Sequence, residues 1–182
     1  MERYIALLRG INVGGDNKIS MSRLKEAFKE HGFEDVITYI NSGNLIFSSR
    51  NSLENEITLK KQCEEILLHT FKLAIPVAIF SVVDFSDALH HAPLWWDSDK
   101  NSKHNAIFVI PPTTTQDIIE QGGLTPSEYE QVGCYGQVIF WSAPLKTFSR
   151  TRLSKFVSKN GYGNITIRNA NTTKKLLQLV VE

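Results

Sequence analysis

A chain of 182 residues with 42% hydrophobic and 21% charged residues fits one globular domain or two intimate subdomains and excludes a disordered polyampholyte. No apolar run has the length of a membrane-spanning helix, and Glu2 inside an immediate strand pattern does not resemble a signal peptide, so a cytoplasmic, membrane-free location is expected. Net charge is +1, but residues 1–130 carry 12 Lys and Arg against 18 Asp and Glu, whereas residues 131–181 carry eight Lys and Arg and no acid, an asymmetry that points to an anionic partner.

The first predicted strand is Tyr4–Leu8, which enters the glycine-rich stretch Arg9-Gly10-Ile11-Asn12-Val13-Gly14-Gly15. Glycines let backbone N–H groups turn inward, and a following helix supplies a positive dipole end. The stretch is not a P-loop: Gly10 and Gly15 have the spacing, but Asp16-Asn17 stands where Lys-Ser/Thr is required and Lys18 comes too late. A dinucleotide G-x-G-x-x-G is absent as well. Either the glycines face a ligand or they simply turn the chain.

Ser20 or Ser22 is expected to cap a helix with Met21, Leu24, Ala27 and Phe28 on one face, His31 in its last turn and Gly32 ending it. Val36–Ile40 and Leu45–Ser48, joined by Asn41-Ser42-Gly43-Asn44, read as a β-hairpin. Asn51 with Glu54 has the spacing of a capping box for a long helix, with Leu53, Ile57, Cys63, Ile66, Leu67 and Phe71 inward and Pro76 beyond its end. Val77–Val82 is a buried strand, which completes a β-α-β-β-α-β unit of ferredoxin-like type over residues 1–83.

Residues 84–104 read as a join: a helix near Phe85–His91, then Pro93-Leu94-Trp95-Trp96 and an exposed polar loop, Asp97–Lys103. Residues 105–182 repeat the element order. Ala106–Ile110 is a strand stopped by Pro111-Pro112, Thr113 with Gln116 opens a helix ended by Gly122-Gly123, and Tyr129–Val132 and Val138–Trp141 flank a four-residue turn, Gly133–Gly136. A helix from Ser149 or Thr151 carries Leu153, Phe156 and Val157 inward. Beyond Gly161 and Gly163, Ile165–Ile167 is a strand, and Asn171 or Thr172 caps a last helix. The expected fold class is therefore α+β, two ferredoxin-like subdomains in tandem plus a C-terminal helix.

Leu8–Gly15, Met21, Leu24, Thr38–Asn44 and Phe47 closely resemble the bacterial domain-of-unknown-function 1697 family, and Thr166–Thr172 resembles that family's closing motif. The resemblance implies two ferredoxin-like halves and supplies no activity. It marks Arg9, Gly10, Asn12, Gly14, Asn41, Ser42, Gly43, Asn44, Arg168 and Asn169 as candidates for a ligand site, and equally for turn geometry.

Arg9 and Arg168 each close a predicted strand before a helix start, and a guanidinium fork suits phosphate or carboxylate. Asn12, Asn41, Asn44, Asn169 and Asn171 offer paired donor and acceptor groups. Should the two arginines meet in a crevice between the subdomains, the residues describe a site for a phosphorylated small ligand or nucleotide. The bland alternative pairs each arginine with an acid or a helix-end carbonyl and leaves each Asn to its turn. Single-stranded nucleic acid is the larger version of the idea, with the basic segment interleaved by Trp141, Phe148, Phe156 and Tyr162, although Trp141 and Phe156 fall at core spacing. An enzyme on a nucleotide or sugar phosphate and a protein-interaction module are the other readings. His90 and His91, with Asp87, Asp97, Asp99 and His104 nearby, have the wrong spacing for a metal. Ser42 lacks a nucleophile elbow and a His–acid partner, no carboxylate pair stands out, and Cys63 and Cys134 read as buried thiols in a reducing cytoplasm. No cofactor or metal is expected, and the oligomeric state stays open.

Overall fold

A computed structural model describes residues 1–50, 55–158 and 163–181. The chain divides into two compact units: Met1–Ser86 together with the chain from Leu176 on, and Asp87–Lys175.

The first unit runs β1 (Glu2–Leu8), α1 (Met21–Glu30), β2 (Glu34–Tyr39), β3 (Asn44–Ser49), α2 (Glu56–Phe71) and β4 (Val77–Ser81). Its sheet has the order β2-β3-β1-β4 with every neighbouring pair antiparallel. Strand alternation sends Tyr4, Ala6 and Leu8, and opposite them Phe47 and Leu45, into one core with Leu24 and Phe28 of α1 and Leu59 and Leu67 of α2. Ser20 caps α1 by accepting the Arg23 N–H, and Gly32 follows the helix at φ 89°.

The expected capping box of α2 lies outside the described residues, as does Leu53. The described start is capped by Asn55, whose side chain accepts the Thr58 N–H. From that start Leu59, Cys63, Ile66 and Leu67 fall at i, i+4, i+7 and i+8, so they hold the inner stripe and Ile57, expected inside, is 58% exposed. The helix ends at Lys72 in the left-handed region, ahead of Pro76.

α3 (Val82–His90) follows β4 directly. The second unit then runs β5 (Ser102–Val109), α4 (Thr115–Gly122), β6 (Gln131–Tyr135), β7 (Val138–Pro144), a 3₁₀ turn (Leu145–Arg150), α5 (Arg152–Ser158), β8 (Ile165–Asn169) and the start of α6 (Ala170–Val181), which belongs to the first unit from Leu176 on. Its antiparallel sheet has the order β6-β7-β5-β8. Ile107, Val109, Ile139, Trp141 and Ile165 make its core with Ile118 and Leu153.

Several boundaries move, each for a local reason. Ser102 and Lys103, expected in the exposed loop, belong to β5 together with His104 and Asn105, because their backbones pair with β7 from Pro144 to Trp141. The capping box of α4 is Thr114 with Asp117, not Thr113 with Gln116. Tyr135 pairs with Val138, so the second hairpin turns on two residues, Gly136 at φ 54° and Gln137, and Gly133 and Cys134 stay in the strand. Asn169 ends β8 and also caps α6 by accepting the Thr172 N–H, which displaces Asn171 and Thr172 from that role. Cys134 is exposed, while Cys63 is buried; neither forms a disulfide.

Candidate functional site

The glycine-rich stretch folds as a small finger. Val13 and Asp16 form a bridge, the Asn12 N–H donates to the Asn17 carbonyl, and Gly14 and Gly15 make the turn at φ 63° and 91°. Two consecutive left-handed positions are what a tight hairpin turn demands, so these glycines serve chain reversal. Asn12 holds the base of the finger at φ 54°: its Oδ1 accepts the Ile19 N–H, and its Nδ2 donates to the Ile19 and Asn41 carbonyls, all at 2.9 Å. Gly10 contributes its carbonyl to Asn17 Nδ2. Asn44 is fully buried and donates to the Tyr39 carbonyl and Ser42 Oγ across the first hairpin. Arg9 is half-buried, with its backbone N–H on the Pro76 carbonyl. The structure thus joins Asn12 to Asn41 and Ser42 to Asn44 through bonds that shape turns. An open hollow of about 590 Å³ beside them is lined by Asn12, Gly15, Lys18, Ser20 and Asn41, and Lys18 is the one cation among its described lining residues.

Arg168 and Asn169 lie in the second unit. Arg168 is 6% exposed and donates to Thr166 Oγ1 and the Ile167 carbonyl of its own strand. Burial draws its pKa down to about 10, which still leaves it charged at neutral pH. Asn169 faces the other way, into a cleft of about 840 Å³. There Asn105 is its cross-strand partner, and Lys103, two residues along β5, lies on the same face. Lys103 Nζ stands 3.7 Å from the centre of the Phe148 ring. Asp99, Lys100 and Asn171 also line the cleft.

One wall of this cleft is the polar run 97–101, and a buried histidine fastens it. His104 Nδ1 accepts the Asp97 N–H at 3.0 Å, which makes it the bare nitrogen, and Ser142 Oγ lies 2.6 Å from it. Nε2–H then donates to the Asp99 carbonyl at 2.8 Å. Ser142 and His104 are both buried, so this Ser–His pair fixes a loop rather than offering a nucleophile. His91, the other histidine with carboxylate neighbours, stacks on Tyr135, and its Nδ1 bonds to the Asp87 backbone carbonyl; the Tyr135 hydroxyl donates to the Asp87 carboxylate, a bond that raises the Tyr135 pKa. Among the described residues no group of three His, Cys, Asp or Glu could hold a metal ion.

Two arrangements were not visible in the sequence. The buried Glu130 carboxylate accepts from Trp141 Nε1 and from the N–H groups of Arg152 and Leu153, and so caps α5 from 22 residues upstream. Glu56 has its pKa raised by burial first, then by Asp84 and Glu2, against the pull of the Ser81 N–H. Neither pairing follows a short spacing that a motif could carry. The basic segment, for its part, is partly engaged inside its own unit. Arg152 donates to the Gly123 carbonyl and Thr125, Lys174 pairs with Asp97, and Arg150 lies over Tyr129.

Fold and site together define an α+β protein with two four-stranded antiparallel sheets, helices on each, and a polar cleft at the end of the second sheet. Residues 1–140 match the model of the family described as "Protein of unknown function (DUF1697)", and the chain belongs to that family. Its fold is similar to that of a solved structure, the conserved bacterial protein SP0830 from Streptococcus pneumoniae, at 31% identity and a TM-score of 0.85, with 98% of each chain covered. None of the curated proteins matches the chain. No helix among the described residues is long and apolar enough to cross a membrane.

Proposed function

We propose that this protein binds a phosphorylated small ligand in the cleft of its second unit. One observation carries the reading: the Lys103 ammonium, the Asn105 amide and the Asn169 amide share one face at the end of β5 and β8, in a polar cleft of about 840 Å³ that α6 enters by its N-terminus. That volume is in the range of small-molecule sites, roughly 300–1,000 Å³. Ammonium groups neutralise phosphate, amides orient what is attached to it, and the helix dipole adds to the field. The engagement of Arg152, Arg168 and Lys174 by partners within their own unit favours a small ligand over a nucleic-acid strand.

The same strand order and element order in both units support a tandem of ferredoxin-like subdomains. Two cysteines without a disulfide fit a cytoplasmic setting.

Calorimetric titration of the full chain with inorganic phosphate and with phosphorylated small molecules tests the reading. Millimolar or tighter binding is expected, weakened about tenfold by Lys103→Ala and by moderate salt. Equal affinity of Lys103→Ala and the parent chain would remove the cleft as the site.

A further inference from the structure

We infer that the phosphorylated ligand is a sugar monophosphate rather than a nucleotide, an inference that rests on the binding reading above. Three features of the cleft lead there. First, Phe148 offers no open platform to a nucleobase: Trp141 meets its ring edge-to-face at 5.8 Å, and the Lys103 ammonium stands 3.7 Å from its centre. Base recognition without pairing draws on an aromatic face, and this one is taken.

Second, the cleft is rich in planar groups that present an acceptor beside a donor. Asn105 and Asn169 stand opposite each other across the strand pair, and Asn171 follows at the start of α6. A hydroxyl both donates and accepts, so vicinal hydroxyls match the C=O and NH₂ of the Asn105 and Asn171 amides and the NH₂ of Asn169, whose Oδ1 already takes the Thr172 N–H. The Asp99 carboxylate is 46% exposed, and one of its oxygens takes the Asn101 N–H, which leaves acceptor capacity toward the cleft.

Third, the charges allow one phosphate and oppose more. Lys100 and Lys103 face Asp97 and Asp99, and Lys174 holds Asp97. With Asp97 held by Lys174, a single dianion is accommodated there, whereas a polyphosphate brings its further negative charge against the Asp99 carboxylate.

The test is calorimetric titration of the full chain with four probes: inorganic phosphate, glucose 6-phosphate, ribose 5-phosphate and adenosine 5′-monophosphate. At least one sugar phosphate is expected to bind about tenfold or more tightly than inorganic phosphate and the nucleotide. Asn105→Ala is expected to abolish that margin. Asn105 uses its backbone carbonyl, not its side chain, to accept Trp96 Nε1, so the fold is spared. A nucleotide that binds as tightly as the sugar phosphates, or a margin that survives Asn105→Ala, overturns the sugar assignment while phosphate binding stands. No binding of any phosphate probe removes the assignment and the binding reading together.

Discussion

Single side chains in this protein are mostly committed to the backbone around them. Asn12 spends both ends of its amide on the finger and the first hairpin, and His104 spends both ring nitrogens on the loop 97–99. Glu56 is the residue whose commitment depends on pH. Its native pKa lies above the ordinary 4.5, chiefly through burial. The native chain therefore holds that proton to higher pH than the unfolded chain does. The stability this gives is whole below about pH 4.5 and is lost as pH rises through the native pKa. Glu56→Gln keeps a carbonyl for the Ser81 N–H at 2.7 Å and removes the titration. Melting temperatures of the two chains between pH 4 and pH 8 should diverge, the variant gaining on the parent as pH rises. A pH-independent difference would show that this carboxyl is not the source.

At the scale of the element, the two hairpins show what a sequence carries and what it hides. Gly43 sits at φ 77° with its carbonyl on the Leu8 N–H, and a Cβ there would lie 2.7 Å from Leu8 Cβ and 2.9 Å from the Ile11 side chain. Gly43→Ala should lower the unfolding free energy by about 2–4 kcal/mol in urea, through both overpacking and the left-handed backbone. Unchanged stability would mean that β1 and the hairpin can separate. Asn41-Ser42-Gly43-Asn44 announced that reversal because its residues tolerate such geometry, although Asn44 of β3 pairs with Tyr39, and Ile40, expected in the strand, opens the turn at φ 49°. Gly133–Gly136 misled for the same reason: two glycines invite a four-residue turn, yet Cys134 pairs with Ile139 and the reversal falls on Gly136-Gln137. Strand periodicity located the apolar cores, from Tyr4 and Phe47 to Ile107 and Ile139. It could not place β5's polar start, since Ser102, Lys103, His104 and Asn105 have no apolar alternation and are held by pairing with β7. The cleft was hidden with them. Asn169 was legible from its motif, but Lys103 and Asn105 meet it only through register.

At the scale of the whole molecule, each unit pairs a four-stranded sheet with its own helices, and the chain returns at its last helix to the unit it began with. Leu176 and Val180 are buried, and Arg3 of β1 donates to the Val180 carbonyl at 3.1 Å. Leu176→Ala should cost about 2–5 kcal/mol. Hydrogen exchange read by mass spectrometry should show the faster exchange in β1–β4, with the β5–β7 amides less affected. An equal rise in both sheets would contradict the assignment of this stretch to the first unit.

The return of α6 also sets an order of events during synthesis. The ribosome releases β1 to β4 early, but the residues that finish their unit are made about 90 positions later. At about 5–20 residues per second the nascent first unit waits roughly 5–20 s for them. Through that interval the half-made protein keeps unfinished apolar surface, and it is the stage at which a holding chaperone would find most to grip.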